Sequence, residues 1–111
     1  MPYQMFPKTI QDKFPKPYST EDLGFDKTKV ITKFFDVFGS WKWYATEYDP
    51  EQEKFFGWVH GSDPELGYFS MEEFKSLPSV MGVPRIERDI NWKATTTLKE
   101  VMDASNTGNP L

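Results

Sequence analysis

The chain has 111 residues, of which 19 are aromatic and none is cysteine, and its formal net charge is −4. This length fits one domain with one hydrophobic core and excludes a second domain. The lack of cysteine excludes disulfide bonds and thiolate metal sites, and it favours a reducing compartment, so we expect a cytoplasmic protein. No apolar run approaches the roughly 18 residues of a membrane span, and the opening M-P-Y-Q-M-F-P-K lacks the pattern of a signal peptide.

The charge is distributed unevenly along the chain. Residues 1–43 carry seven Lys and five acidic residues (+2), residues 44–82 carry two Lys and eight acidic residues (−6), and residues 83–111 carry four of each sign. An acidic centre disfavours binding to nucleic acid, because phosphate-binding surfaces gain affinity from Lys and Arg. It suits either a basic protein partner or a solvated face.

The first predicted elements are a short helix and a loop. The helix follows Pro7, a residue that suits the first helical position, and it ends before Pro15 after about two turns. Residues 15–28 show no hydrophobic period, so we expect an ordered loop there.

A three-stranded antiparallel meander is predicted next. Residues 30–38, 41–48 and 54–60 are rich in aromatic and β-branched side chains, and the second of these segments alternates with a period of two. Gly39–Ser40 is a two-residue hairpin signal, and residues 49–53 contain a turn with proline at a favoured position.

A short extended segment and a helix follow the meander. Residues 65–69 are extended, and Ser70 opens a helix that ends by Pro78. Ser70 and Glu73 have the spacing of a capping box, in which each side chain satisfies a backbone amide of the other residue.

An edge strand is predicted over residues 85–92. With a period of two, Ile86, Ile90 and Trp92 share one face of this segment, and the intervening acidic and amide side chains lie on the other.

A second capping box at Thr97 and Glu100 opens the last predicted helix. Residues 105–111 have little apolar surface to bury, so we expect a flexible C-terminal tail after a single domain over residues 1–104. Strands followed by helices, without βαβ alternation, predict an α+β fold: a small antiparallel sheet, made of the meander and the edge strand, with two or three short helices.

Five motifs in this order resemble a known family. They are P-Y-S-T-E-D-L-G (17–24), W-K-W-Y-A-T-E-Y-D (41–49), F-F-G-W-V-H-G (55–61), E-L-G-Y-F-S (65–70) and P-R-I-E-R-D-I-N-W (84–92). The family is domain of unknown function 2958, found in bacteria and on plasmids and phages, and the resemblance runs from about Pro7 to Val101. It implies no activity. It implies a gene that travels on mobile elements.

The sequence offers no strong catalytic or metal motif. His60, Ser62 and Asp63 are too close in the chain to form a catalytic triad, since neighbours at a strand end point in different directions. Carboxylates are suitable ligands for hard cations, but no spaced ligand motif is present. We therefore assign no catalytic residue, no metal site and no cofactor.

A carboxylate and arginine cluster is one candidate site. Its members share positions inside the family-like motifs: Glu21, Asp22, Glu65, Arg88 and Asp89. In the structural interpretation, Arg85 or Arg88 pairs with Glu21, Glu47 or Glu65 and fixes the 15–28 loop onto the sheet. In the functional interpretation, the cluster serves a small hydrolase or a ligand-binding domain.

An acidic, aromatic surface is the other candidate. The residues assigned to it are Tyr44, Glu47, Tyr48, Asp49, Glu51, Glu53 and Trp58. Tyrosine and tryptophan often anchor protein interfaces, although the alternative is that these aromatics belong to the core. The favoured hypothesis is a non-enzymatic accessory protein of a phage or plasmid that binds a basic protein partner. Its more specific form is an inhibitor of a host nucleic-acid-processing defence enzyme.

Overall fold

The structure is a computed structural model that describes residues 5–111; residues 1–4 of the predicted domain lie outside it. The elements in chain order are α1 (Lys8–Gln11), β1 (Thr32–Asp36), β2 (Lys42–Asp49), β3 (Lys54–His60), β4 (Glu65–Ser70), α2 (Met71–Ser76), β5 (Ile86–Arg88) and α3 (Leu98–Asn106). The described strands form one antiparallel sheet in the order β4-β3-β2-β1-β5. The predicted α+β fold, the meander and the edge strand are confirmed. The segment expected only to be extended is β4, which lengthens the meander by one strand.

The hairpin between β1 and β2 is wider than predicted. It closes where the amide of Asp36 donates to the carbonyl of Trp41 at 3.0 Å, which leaves residues 37–40 as a four-residue loop. The prediction of a two-residue turn at Gly39–Ser40 is therefore wrong. The Asp36 carboxylate accepts the amide of Phe38 at 2.9 Å, and such a local side-chain bond replaces the next step of the strand ladder.

Both faces of the sheet are covered, so the sheet separates two cores. The face that we call the α2 face carries Phe34, Trp43, Ala45, Phe55 and Phe69, packed against Phe74 and Ile86. The opposite α3 face carries Tyr44 and Trp58, packed against Val30, Leu98 and Val101. Because successive residues of a strand point to opposite faces, aromatic residues that alternate with one another are buried on both sides.

A β-bulge interrupts the alternation of β2. The pairing of β2 with β3 shifts between Ala45 and Glu47, which places Glu47 opposite Phe56 on the α3 face. A bulge inserts one extra residue and so changes the face on which later side chains lie. Tyr48 consequently packs on the α2 face, not beside Tyr44 as simple alternation predicts.

The end of β5 also departs from the predicted pattern. Ile86 packs in the α2-face core, whereas Trp92 packs with the α3-face core and donates its indole N–H to the carbonyl of Val30 at 2.9 Å. Ile90 is 66% exposed. The prediction that these three residues share one face is wrong, because the strand ends at Arg88 and the chain turns there.

Helix α3 begins as predicted. Both bonds of the capping box between Thr97 and Glu100 are present. The next amides donate outside the helix, from Leu98 to the carbonyl of Thr28 at 2.8 Å and from Lys99 to that of Phe25 at 2.9 Å. These bonds join the start of α3 to the 18–28 loop and satisfy amides that helix starts leave free.

Helix α1 is shorter than predicted, whereas α2 agrees with its prediction, with Ser70 as the N-cap and an end before Pro78. Helix α1 has four residues in place of two turns. Helix α2 begins where the amide of Glu73 donates to the Ser70 hydroxyl at 3.1 Å, which is one of the two bonds of the predicted capping box; the reciprocal bond from the Ser70 amide to the Glu73 side chain is not formed among the described residues.

The end of α3 lies beyond the predicted domain boundary. The helix continues to Asn106, and Gly108 then adopts a left-handed φ of +84°. The amide of Asn109 donates to the carbonyl of Ala104 at 3.0 Å, and the amide of Gly108 donates to that of Ser105 at 3.1 Å. These two bonds form a Schellman motif, a common helix end that favours glycine. Residues 105 and 106, assigned to the tail, therefore belong to the helix.

Candidate binding site between the 18–28 loop and the sheet

A cavity of about 250 Å³ lies between the 18–28 loop, the α3 face and the first residue of α3. Its apolar walls are Leu23, Phe25, Phe56, Leu66, Tyr68 and Leu98, and its polar groups come from Tyr18, Thr20, Glu21, Thr28, Thr46 and Glu47. Pockets for small molecules usually have roughly 300–1,000 Å³, so this cavity suits a single side chain or a small ligand.

The carboxylate of Glu47 holds the loop that roofs the cavity. It is 6% exposed and accepts the amide of Tyr18 and both the amide, at 3.1 Å, and the hydroxyl of Thr20. A buried carboxylate needs such donors, because an unpaired one is costly to desolvate. The bulge in β2 positions Glu47 to meet them.

The loop is therefore fixed to the sheet by a carboxylate, as one interpretation of the sequence predicts, but among residues 5–111 no ion pair joins an arginine to Glu21, Glu47 or Glu65. The Nε of Arg85 pairs with Asp36 at 3.1 Å, and the Nε of Arg88 donates to the carbonyl of Met5 at 3.0 Å. Backbone amides replace the expected guanidinium because the chain of the loop itself passes over Glu47.

Two tyrosines stand at the rim of the cavity. Tyr18 has a left-handed φ of +64°, an unfavourable conformation for tyrosine. The hydrogen bond that its backbone amide donates to the Glu47 carboxylate stabilises this conformation. The pKa of Tyr18 is raised, first by the neighbouring Tyr68 phenol and then by burial, Asp49, Glu21 and Glu47. Three of these causes are carboxylates, so Asp49, Glu21 and Glu47 all act on the phenol of Tyr18 at this rim.

The charge of the lining has one sign. Glu21 and Glu47 are acidic, and among residues 5–111 no Lys, Arg or His lines this cavity. A small cleft next to it, lined in part by Asp49 and Lys54, contributes one charge of each sign. The cavity thus combines aromatic and aliphatic walls with two carboxylates.

Residues 10–109 match the family described as "Protein of unknown function (DUF2958)". The chain belongs to this family. The resemblance found in the sequence is thereby confirmed over nearly the whole chain. No match was found among curated proteins or among solved structures.

The acidic, aromatic surface predicted for this DUF2958 chain is not formed. Tyr44 and Trp58 are buried in the α3-face core, and Tyr48 packs on the other face against Phe6 and Phe55. Assigning the first two to a binding surface is wrong, because α3 covers the strands that carry them. The indole N–H of Trp58 has no hydrogen-bond partner among the described residues.

The acidic members of that predicted surface are dispersed. Asp49 caps the following turn by accepting the amide of Glu51 at 2.9 Å, and Glu51 and Glu53 are exposed in that turn. Glu47 is buried and reaches the cavity.

The predicted carboxylate and arginine cluster is also separated. Glu21 lines the cavity, whereas Asp22 and Glu65 are exposed outside it. Asp89 pairs with Lys33 at 3.8 Å near the β5 edge of the sheet, next to Arg88 and away from β4. Glu21 and Glu47 are thus the predicted carboxylates that the DUF2958 fold brings to one cavity.

His60 has a structural contact in the DUF2958 fold. Its Nδ1 lies 2.5 Å from the hydroxyl of Ser105, which is buried in α3, and neither residue lines the cavity. Ser62 and Asp63, considered with His60 from the sequence, are exposed. The contact joins β3 to α3.

Two further properties bear on the kind of site. Over the part of the chain that the structure describes, no three His, Cys, Asp or Glu side chains are placed to hold a metal ion. Within residues 5–111, no helix has the length and apolar character needed to cross a membrane.

Sequence reasoning missed most of the cavity wall. Tyr18, Leu23, Phe25 and Tyr68 are between 44% and 60% exposed. The available signal was L-G-F (23–25), two large apolar residues in a loop that has no period to bury them.

Proposed function

We propose that this DUF2958 domain is a non-enzymatic interaction module that receives a basic side chain of a protein partner in the cavity beneath the 18–28 loop. The observation that carries the proposal is the lining, in which aromatic and aliphatic walls adjoin Glu21 and Glu47 and no described basic residue. A lysine or arginine side chain has the matching parts, since its stem is apolar and its head is cationic. Aromatic faces and carboxylates both attract such a head.

Glu47 supports binding over catalysis. Its oxygens already accept hydrogen bonds from Tyr18 and Thr20, and these bonds maintain the roof of the cavity. An acid or base that transfers protons must be free to reach substrate. Glu47 therefore contributes its charge to the cavity while its lone pairs serve the loop.

The alternative function is a small hydrolase or ligand-binding domain that uses Glu21 and Glu47. Its supporting observation is that both carboxylates line one cavity and that neither has an ion pair among residues 5–111. In a hydrolase, Glu21→Gln would remove proton transfer by this side chain, whereas in the interaction module it would remove one charge and leave the apolar and aromatic contacts of a bound side chain.

The wider setting remains a prediction. A cytoplasmic accessory protein of a phage or plasmid, acting on a basic partner such as a host nucleic-acid-processing defence enzyme, agrees with the acidic lining. Complementary charge would speed the encounter and select against acidic partners.

The proposal is tested with a matched pair of variants at neighbouring positions. Glu21 lines the cavity and Asp22 does not, although both are exposed and each carries one negative charge. Immobilised wild type, Glu21→Gln and Asp22→Asn are each used to retain proteins from an extract of the producing cell, and quantitative mass spectrometry compares them.

We expect a protein that wild type and Asp22→Asn retain and that Glu21→Gln retains at least several-fold less. Equal loss with both variants would mean that the overall acidic field governs retention and would contradict a role for the cavity. Equal retention by all three proteins would also contradict it.

A further inference from the structure

Strand β4 has an open outer edge. It is the last strand on its side of the sheet and pairs with β3 alone. Among residues 5–111, no backbone hydrogen bond joins residues 65–69 to any segment other than β3. In an antiparallel edge strand every second residue directs its N–H and C=O outward, so this edge presents unpaired donors and acceptors.

The two edges of the sheet differ in their protection. Strand β5 has three residues, follows Pro84, and carries Glu87 and Arg88, features that natural proteins use to discourage pairing. Strand β4 has six residues, and its only charged residue is Glu65 at its start, directly after Pro64; residues 66–70 contain neither proline nor a charged side chain. An open edge of this kind is a template for an incoming strand.

The open edge adjoins the cavity. Leu66 and Tyr68 of β4 both line the cavity, and Tyr68 is 60% exposed. A strand added to β4 would lie about 4.8 Å away, and its residue opposite Tyr68 would point to the same face of the sheet. Diagonal neighbours lie about 7–8 Å apart, which long side chains span. A long basic side chain of the added strand therefore enters the cavity at its β4 end, beside Tyr68, and approaches the acidic lining from that side.

We propose that β4 pairs with an extended segment of a protein partner and that one Arg or Lys of this segment occupies the cavity. The inference rests on the proposed function, to which it adds the form of the partner: a strand with a basic residue that faces the sheet. Backbone pairing would supply affinity and the cavity would supply specificity, a division found in other strand-addition complexes.

A second copy of this chain is a poor occupant of the edge. Strand β4 reads E-L-G-Y-F-S and contains no basic residue. Two paired copies of β4 would bring the two acidic cavities together and leave both without a cation. Charge complementarity therefore favours a foreign, basic segment.

The test uses synthetic peptides and ¹⁵N-labelled full-length chain. The probe is an acetylated, amidated peptide T-V-T-R-T-V-T, and its partner replaces Arg with Glu. Two further Arg peptides carry N-methyl groups on alternate residues, so that each blocks one backbone edge. Amide chemical shifts and hydrogen exchange of residues 65–69 report pairing, and the shifts of Glu21 and Phe25 report the cavity.

We expect the Arg peptide to shift both sets of signals and to slow exchange at the outward amides of β4. N-methylation of one peptide edge should abolish this effect, while N-methylation of the other should preserve it. The Glu peptide should bind about tenfold more weakly, a difference of about 1.4 kcal/mol.

Matched variants place the site on the protein. Tyr68→Lys should weaken the Arg peptide about tenfold by adding a like charge at the cavity rim. Ile90→Lys should leave the affinity within about twofold, because Ile90 is equally exposed beyond the opposite edge of the sheet.

The failures are distinguishable from one another. Shifts at Glu21 and Phe25 without protection of β4 would overturn strand pairing and leave the cavity function supported. Equal protection of the β4 amides by the Arg and Glu peptides would overturn the claim that the cavity selects a cationic side chain, and with it the proposed function. Protection that grows with protein concentration alone would identify a second copy as the occupant, and no response to any peptide would overturn the inference.

Discussion

The buried carboxylate of Glu47 accepts the backbone amide of Thr20 at 3.1 Å across 27 positions of sequence. It accepts the Thr20 hydroxyl and the Tyr18 amide as well, so one side chain in a bulged strand determines the course of the loop above it. The shape of the cavity therefore depends on this carboxylate.

Glu47→Gln should destabilise the fold by about 1–3 kcal/mol, because the new amide group turns a donor toward other donors and a hydrogen bond to a charged group is lost. Urea denaturation measures the change, and hydrogen exchange at Tyr18 and Thr20 should accelerate more than exchange in α2. Glu51→Gln, in the exposed turn, should change stability by about 0.5 kcal/mol or less. Equal effects of the two variants would show that Glu47 does not hold the loop.

Gly57 should not tolerate a side chain. A Cβ at this position would overlap the carbonyl of Tyr44 in the neighbouring strand, where the backbone is not free to retreat. Gly57→Ala is expected to cost about 3 kcal/mol or more, or to prevent folding, in line with severe core overpacking. Circular dichroism and thermal denaturation measure it.

Gly67→Ala is the control for Gly57→Ala, since no heavy atom lies within 4 Å of the added Cβ and its φ is not left-handed. Its stability should stay within about 0.5 kcal/mol or rise slightly. A similar loss from both variants would contradict the described registration of β2, β3 and β4.

Gly108→Ala should destabilise the end of α3 by about 1 kcal/mol, because alanine is strained at the φ of +84° that the Schellman motif requires. Denaturation compares the variant with wild type, and exchange at Gly108 and Asn109 should accelerate. A neutral substitution would indicate that residues after Asn106 are as loosely held as their composition suggests.

Stability should fall at alkaline pH through Tyr44. Its hydroxyl donates to the carbonyl of Leu111 at 2.6 Å, and burial, with a smaller effect of Asp89, raises its pKa above the ordinary 10.0. The unfolded chain thus loses this proton more readily than the folded chain. The contribution of Tyr44 is complete below about pH 10 and declines as the pH rises from there toward the folded pKa.

Tyr44→Phe tests this pH dependence. Near pH 8 it should cost about 0.5–1.5 kcal/mol, the net value of the lost hydrogen bond. The difference between wild type and variant, measured by urea denaturation from pH 8 to 11.5, should narrow above pH 10. A constant difference across this range would contradict a buried, protonated phenol in the folded protein.

Local chemistry accounts for what could be predicted of the fold. Aromatic and β-branched segments separated by turn residues predicted the meander, and the pairing of Thr97 with Glu100 predicted the start of α3. Gly108 carried an equally local signal for the end of the same helix, since glycine after a polar helical run is a common helix end. A helix that ends at Gly108 contains Ser105, so this signal predicts Ser105 inside α3.

The cavity could not be predicted by the same means. Whether an alternating face is covered depends on distant segments, so the periodicity of β2 could not tell that α3 buries Tyr44. The bulge near Thr46 has no signature in residue type, yet it decides that Glu47 faces the α3 side. Leu23 and Phe25 reach the cavity because amides at the start of α3 donate hydrogen bonds to carbonyls of the loop. Any residue type could provide these backbone groups.

The 18–28 loop is anchored at both ends, to β2 through Glu47 and to the start of α3 through the carbonyls of Phe25 and Thr28. Whatever fills the space beneath it would therefore tighten a bridge between sheet and helix. By mass action, a ligand at a hundred times its dissociation constant adds about 2.7 kcal/mol to the free energy of unfolding. The increase in melting temperature can accordingly rank candidate amines, guanidines and basic peptides by their affinity before a partner protein is identified.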